Sequence, residues 1–483
     1  MKLESVRSQA LAANAPALAL AALAAYLAFT QKLLSDGDVF WHLATGDLIL
    51  RTGSIPTADL FSYTAQGMAW HAHEWLAEVI MSLSYSAAAW SGVILLYALA
   101  TSATLFILGT ELARRLPARW ALCALFVVFM LLHPLLSARP HIIGWLLLAI
   151  WVVSLKARPG PPPFFVWPLM LVWANVHASY MLGLGIAGAF AIEGVLRDRS
   201  EVGRWAAFLA ACLVCACLTP QGPAGLLYPF EVSGMSALAV IGEWRPTSLR
   251  DDPLFILFLT GVWVLVGARW RQIHPVRVLV LAGLSAMAIA HARHQMPFTI
   301  VGTSFVAPLL GSERPFAERF AWRWGLGLFV AVAAIRLAIP FHPADTAILP
   351  KQEIASVPTE VRTLPVFNSY SFGGPLILSG IKPYIDGRAD MYGDRFTLNY
   401  LAILRGDRAR FNAADQRWRF GWAILDPRDE LANRLVRDRD WTKTYSDAHA
   451  VVYLREDASL EKISKVRHLP TRGQRRGRKG WLE

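Results

Sequence analysis

A polytopic α-helical membrane protein ending in a small soluble α/β domain is what three features of this chain predict. Hydrophobic residues make up 55% of the 483 and charged residues only 17%, where a soluble domain carries about 25% charged. Long apolar stretches recur over residues 1–340, and Lys and Arg collect in every second gap between them. Past residue 340 those stretches give way to a water-soluble piece of short strand-like and helical segments. The mean hydropathy of +0.39 excludes a disordered chain, a coiled coil, collagen and an ordinary cytosolic enzyme.

A membrane crossing needs about 20 mostly apolar residues. About eleven spans follow, at 11–34, 91–112, 120–137, 140–155, 164–175, 178–196, 205–220, 253–268, 276–292, 296–311 and 322–340. The apolar stretch 75–90 reads as a helix at the interface or one leading into the second span. The run 11–34 exceeds the short core of a signal peptide, so it reads as a retained span. Lys2 and Arg7 precede the first span, Arg114, Arg115 and Arg119 follow the second, and Lys156 and Arg158 follow the fourth. Arg197, Arg199 and Arg204 follow the sixth, and the same alternation continues to Arg323. Basic short loops lie on the cytoplasmic side. The N-terminus is therefore expected in the cytoplasm and residue 341 outside. The formal charge of +12 belongs to these loops, and no basic soluble module with interleaved aromatics suggests a nucleic acid.

Residues 1–340 read as the transmembrane domain, 341–460 as a soluble α/β domain on the outer side, and 461–483 as a basic tail. In the soluble part Pro365–Asn368, Pro383–Asp386 and Gly421–Leu425 read as strands, and Glu430–Arg437 as a helix. Trp441–Tyr445 and Ala450–Leu454 read as a hairpin. The tail carries eight basic residues against two acids, which suits the cytoplasm better, but long domains largely ignore the charge rule. Cys123, Cys212, Cys215 and Cys217 all sit in apolar runs and read as small packing residues, not as a metal or redox motif.

Chemistry-bearing residues concentrate in the outer segments. The first loop, 35–78, holds Asp36, Asp38, Asp47, Asp59, Glu74 and Glu78 against a single Arg51. A carboxylate just beyond a span can have a raised pKa and take a proton from a hydroxyl at neutral pH. Asp38 and His42 stand one helical turn apart; the alternative is that Asp36 or Asp38 merely caps the helix. His71, His73 and Glu74, with Asp36 or Asp38, form a candidate set for a divalent metal such as Zn²⁺ or Mn²⁺. Asp38, His73 and Glu74 are its main members. Arg139 with His141, and Arg293 with His294, flank links between spans, where ionisable groups are costly and mark function. Their guanidinium groups suit a phosphate; the alternative is snorkelling to headgroups. Asn175 and His177 join two further spans. In Asp386-Gly387-Arg388-Ala389-Asp390, Arg388 binds an acceptor or pairs with Asp390 in a turn. No phosphate-cradling glycine motif is present, which argues against a nucleotide-driven pump or a Rossmann-type nucleotide-sugar enzyme.

With Asp36-Gly-Asp38-Val-Phe-Trp41-His42-Leu near the start, Trp70–Trp75, Trp173-Ala-Asn175-Val-His177, Leu218-Thr-Pro220-Gln-Gly222 and Asp386–Gly393, the chain resembles the GT-C superfamily of membrane glycosyltransferases. That superfamily includes the protein O-mannosyltransferases and the aminoarabinose transferases of lipid A. The resemblance covers nearly the whole chain. It implies a sugar donor carried on polyprenyl phosphate, a lipid, protein or glycan acceptor, and a multi-pass protein of the bacterial inner membrane. It places the catalytic acid at Asp36 or Asp38, although Asp-Gly-Asp departs from the adjacent Asp-Glu of the mannosyltransferases. Arg139, His141, Arg293 and His294 would then meet the donor phosphate, and His42, His73, Glu74, Asn175 and His177 the substrates. A metal is not guaranteed, since only some branches need one. Two other readings remain: a ligase moving a whole lipid-linked glycan, and a transporter, flippase or envelope assembly factor, although no internal repeat supports the second.

Overall fold

A computed structural model describes residues 20–313 and 322–456. The basic tail 461–483 and the start of the run 11–34 lie outside the described residues. The chain is mainly helical and is a membrane protein. Helix α1 (Leu20–Phe29) leads to α2 (Asp38–Thr52), which Gly53 ends in the left-handed conformation at φ 66°. The long α3 (Trp75–Ala113) is two helical segments joined at a kink, in keeping with the separate readings of 75–90 and 91–112. It bends at Ala88 and Ala89, whose backbone leaves the helical region. The segment 90–113 beyond the bend rises about 36 Å at 1.5 Å per residue, enough to cross a bilayer.

Then follow α4 (Ala118–Leu132), α5 (Pro140–Lys156), α6 (Pro168–Val176), α7 (Tyr180–Arg197), α8 (Val202–Cys217) and the short α9 (Tyr228–Ser233). The last group is α10 (Pro253–Ala268), α11 (Pro275–Ala290), α12 (Gln295–Val306) and α13 (Trp322–Ala338). Four described helices are long and apolar enough to cross a membrane: Trp75–Ala113, Ala118–Leu135, Tyr180–Arg197 and Arg199–Cys217. The apolar runs 164–175 and 296–311 yield shorter helices than a crossing requires. Helix α6 has nine residues, because His177 turns to extended backbone at φ −165°. Helix α12 has twelve, all buried, and gives way to a tighter turn at Ala307-Pro308. On α10 and α11 the large apolar residues Leu257, Val264, Leu279 and Ile289 are exposed, as expected of faces whose solvent is lipid.

Beyond α13 come α14 (Lys351–Ser356), β1 (Val366–Asn368), α15 (Gly373–Leu378), α16 (Ala389–Leu404), α17 (Arg408–Trp418), β2 (Trp422–Leu425), α18 (Glu430–Leu435), β3 (Trp441–Ser446) and β4 (Val451–Arg455). The strands form one sheet in the order β1-β2-β4-β3. β1 runs parallel to β2, and β4 is antiparallel to both β2 and β3. The stretch 383–386 is not a strand. Pro383 lacks an N–H, and the Asn368 side chain takes over the pairing: its Nδ2 donates to Ile385 O (2.8 Å), while its Oδ1 accepts from Tyr384 N (2.8 Å).

The first loop and the C-terminal sheet share one core. Trp41, Ala65, Trp70 and Ala72 pack in the same apolar cluster as Phe367, Tyr392, Tyr400 and Phe411. At its centre lies Arg388, fully buried. Its Nη1 donates to Asp59 Oδ1 at 2.7 Å, and its Nε and Nη2 donate to Asp386 at 2.8 and 2.6 Å. The Tyr392 hydroxyl donates to Asp386 as well (2.8 Å), and the Trp70 ring lies 4.7 Å from the guanidinium. Arg388 thus pairs with Asp386 and Asp59, not with Asp390, which instead accepts from Tyr228 at 2.6 Å. Removing one partner of a buried ion network strands the others and costs about 3–5 kcal/mol. Arg388→Met should therefore lower the thermal unfolding midpoint of the detergent-solubilised chain by several degrees; an unchanged midpoint would contradict a structural role.

Candidate active site

The site begins at the turn into α2. Asp36 Oδ1 accepts the backbone N–H of Asp38 at 3.0 Å, so one oxygen serves the turn, as short acids do there. The other, Oδ2, lies 3.0 Å from Arg139 Nη1, and Asp38 Oδ2 lies 3.1 Å from Arg139 Nη2. Arg139 is extended (φ −121°, ψ 157°) immediately before Pro140, because proline disfavours helix in the residue ahead of it. A third carboxylate, Glu243 from the segment between α9 and α10, meets Arg139 Nη1 at 3.3 Å and Arg293 Nη1 at 3.6 Å. The Arg293 guanidinium lies 4.3 Å over the Trp244 ring. Arg139 therefore holds three carboxylates, whereas Arg293 holds an edge of one.

The carboxylates respond differently to this environment. Burial pushes Asp38 up to about 7 against the pull of Arg139. Burial also works on Glu243, but Arg139 and Arg293 outweigh it and bring that carboxyl down to about 2. The site thus contains one permanently charged acid and one poised near neutrality.

Residues 371–387 cover this turn at backbone distance. A Cβ at Gly387 would stand 1.7 Å from Asp38 Oδ1, and one at Gly374 would stand 1.9 Å from Gly37 O. Only glycine allows so close an approach. Tyr370 belongs to the same cover; burial and the nearby Asp38 charge raise its phenol well above the ordinary value, so it remains an O–H donor.

A second polar group adjoins the first. His42 Nδ1 shares a hydrogen bond with Glu78 Oε1 at 3.0 Å, and its Nε2 lies 3.7 Å from Glu74 Oε2. Glu74 Oε1 faces His177 Nε2 at 3.5 Å and His73 Nε2 at 3.9 Å. Burial lowers His42 and His177 well below the ordinary imidazole value, leaving both neutral, and raises Glu74. Asn175 accepts from Trp75 Nε1 (2.7 Å) and donates to Leu171 O and Leu218 O (2.9 and 3.0 Å), ordering the backbone beside His177. His141 bonds the carbonyl of Leu135 (3.2 Å), and its ring stands 6.4 Å from that of His177. His294, lowered to about 4 by burial and then by Arg293, keeps a buried Nδ1 with no hydrogen-bond partner among the described residues.

The sequence-derived residues therefore assemble at one end of the helical bundle in two groups, one around Arg139 and one around Glu74. The candidate metal set of Asp38, His73 and Glu74 does not come together: among the described residues no group of three or more His, Cys, Asp or Glu is arranged to hold a metal ion. Asp38 turns to Arg139, while Glu74 and His73 lie with the other histidines. Glu78 and Glu243 complete the site without having been singled out. Glu78 was recognisable as a lone acid one helical turn beyond Glu74 in an apolar helix. Glu243 is flanked by Gly242 and Trp244 in the long segment 219–252.

No protein-family model matches the chain, and no curated protein matches it in sequence. Solved structures do match it in fold. The archaeal oligosaccharyltransferase AglB from Archaeoglobus fulgidus, in complex with an inhibitory peptide and a dolichol-phosphate, superposes with a TM-score of 0.53 at 10% identity. The match covers 85% of this chain and 69% of AglB. An oligosaccharyltransferase of the same organism in the apo form gives 0.52 at 12% identity, with the same coverage. ArnT from Cupriavidus metallidurans, bound to undecaprenyl phosphate, gives 0.50 at 11% identity, covering 90% of this chain and 97% of ArnT. This likeness is one of architecture, and the chain has the GT-C fold that these membrane transferases share.

Because Asp38 binds its proton more tightly than an ordinary carboxyl, it is protonated below about pH 7 and ionised above. A carboxyl band in infrared difference spectra should vanish through about pH 7 in the wild type and be missing in Asp38→Asn. Loss of that band near pH 4 instead would contradict the assignment. Gly387→Ala forces a methyl group onto that carboxylate. It should destabilise by about 1–3 kcal/mol, as overpacking does, where the same change at the unencumbered Gly185 should not lower the unfolding midpoint.

Proposed function

We propose that this chain transfers a sugar from a polyprenyl-phosphate carrier to an acceptor hydroxyl, with inversion, at the outer face of the bacterial inner membrane. The reading rests on one observation above the others: the Asp38 carboxyl, largely buried, has one oxygen on Arg139 and the other against Gly387, and burial pushes it up to about 7. That is the value a general base needs at physiological pH. Asp38 takes the proton of the acceptor hydroxyl as its oxygen bonds to the anomeric carbon. The bond from that carbon to the carrier phosphate breaks, and its electron pair leaves with the phosphate.

Arg139, already engaged by three carboxylates, acts chiefly to hold Asp36 and Asp38 in place. Arg293 is freer, with a single contact of 3.6 Å to a carboxylate, and meets the carrier phosphate with His294 beside it. Its charge stabilises the departing phosphate, where electrostatic contributions to catalysis are usually largest. His42, His73, Glu74 and His177 line the adjoining sugar or acceptor subsite, with Asn175 and His141 ordering its wall. The C-terminal domain covers the site from the same outer side. Its glycine contacts with the α2 turn exclude water from the base.

The test is turnover of a radiolabelled polyprenyl-phosphate sugar by the purified chain, alongside binding of the bare carrier. Asp38→Asn should reduce kcat at least about 10²-fold with carrier binding retained, and wild-type kcat/KM should rise with pH through about 7 as the base ionises. Arg293→Lys should weaken carrier binding. Full activity in both Asp38→Asn and Asp36→Asn would refute the base assignment. A more severe loss in Arg293→Lys than in Asp38→Asn would favour transfer of a whole lipid-linked glycan.

A further inference from the structure

At the opposite end of the same helices lies a cavity of about 200 Å³. It is framed by the C-terminal ends of α5 and α7 and the first turn of α11. Its wall carries Lys156, Arg158, Arg197 and Arg277 against one carboxylate, Glu193. Glu193 is nearly fully buried (3% exposed) and is shared: Arg197 Nη2 lies 2.6 Å from Oε1, and Arg277 Nε and Nη2 donate to it at 2.8 Å each. Lys156 is bonded to Glu111 and to the Ser304 carbonyl. Arg158 bonds a neutral oxygen, the carbonyl of Pro161, and no described ion pair joins it to a carboxylate.

The wall therefore has more N–H donors and more positive charge than its own acceptors use. An arginine offers five donors, and Arg277 spends two on Glu193. Its guanidinium is fixed by the rings of Phe190 and Phe305, at 4.9 and 5.6 Å, so its free edge is oriented before any ligand arrives. The cavity lies below the range of about 300–1,000 Å³ usual for small-molecule sites, which suits a single compact anion. It sits at the mouth of helices whose apolar flanks face lipid. Basic pockets between membrane helices are suited to anionic headgroups.

The geometry points to a phosphate-binding site at this end of the bundle, separate from the acid site and able to take the phosphate of an anionic membrane lipid. Arg158 and Arg197 supply the donors at its rim, and Arg277 the fixed donor at its base. Free inorganic phosphate presents the same chemistry and is the other source to separate.

The experiment uses the full chain in phosphatidylcholine nanodiscs and follows the thermal unfolding midpoint, because a ligand bound only by the folded state raises it. Phosphatidylglycerol is titrated in one arm and inorganic phosphate in the other. Wild type should show a saturable rise with phosphatidylglycerol. Arg158→Gln and Arg197→Gln should each shift half-saturation about fivefold, the loss expected for one basic contact. Arg119→Gln removes an exposed arginine from the same end that does not line the cavity, and should match wild type. Arg158→Gln leaves every partner of Glu193 intact, so it tests the site even if the Arg197 variant folds poorly. A phosphate arm that saturates in the same variant-dependent way supports the site with free phosphate as its ligand. Equal responses in wild type, Arg158→Gln and Arg119→Gln, or no response to either ligand, would overturn the assignment. Binding is read without turnover, so the result stands apart from the transferase reading.

Discussion

One guanidinium, that of Arg139, joins three stretches of chain that are far apart in sequence. It takes Asp36 and Asp38 from the first loop and Glu243 from the segment after α9. Carboxylates so close together would repel one another and resist burial, and a single shared cation makes the arrangement tolerable. Their charge is also what keeps Arg139 at the start of α5 rather than drawn out toward solvent or headgroups. Everything else in the site is placed relative to this contact. The α2 turn fixes His42, His42 meets Glu78 and Glu74, and Glu74 faces His177.

Asp38 on Nη2 and Glu243 on Nη1 of Arg139 illustrate how one cation sorts its partners. Glu243 lies between two arginines and gives up its proton readily. Asp38 has one arm of Arg139, Gly387 pressed against its other oxygen, and a side chain only 17% exposed. Burial therefore decides its behaviour. Shared architecture with known transferases sets the frame, but the chemistry is read from this difference between neighbouring acids.

Much of this was legible in the sequence. The membrane class followed from composition, and Asp36, Asp38, Arg139 and Arg293 stood out as ionisable groups at the ends of apolar runs. The strands at 366–368 and 422–425 and the hairpin from Trp441 were legible as short segments, the first two continuously buried. Other features depended on contacts no local pattern encodes. The stretch 383–386 looks like a strand until Asn368 is seen to supply its hydrogen bonds. Arg388 looks like the partner of Asp390, two residues on, yet it meets Asp59 across 329 residues. Apolarity alone also overstated α12, whose twelve residues are all buried, since a buried helix inside a bundle reads like a crossing one.

The bond between Asp59 and Arg388 has an implication for how the protein is made. The first loop leaves the ribosome early, but the groups that share its core arrive 329 residues later. At about 5–20 residues per second that interval is roughly 15 to 65 seconds. Throughout it Trp41, Trp70 and Asp59 lack the neighbours that Arg388 and the C-terminal sheet supply. The acid turn gains its cover only when the last stretch of chain docks, so a truncated or stalled product would retain its helices and lack an assembled site.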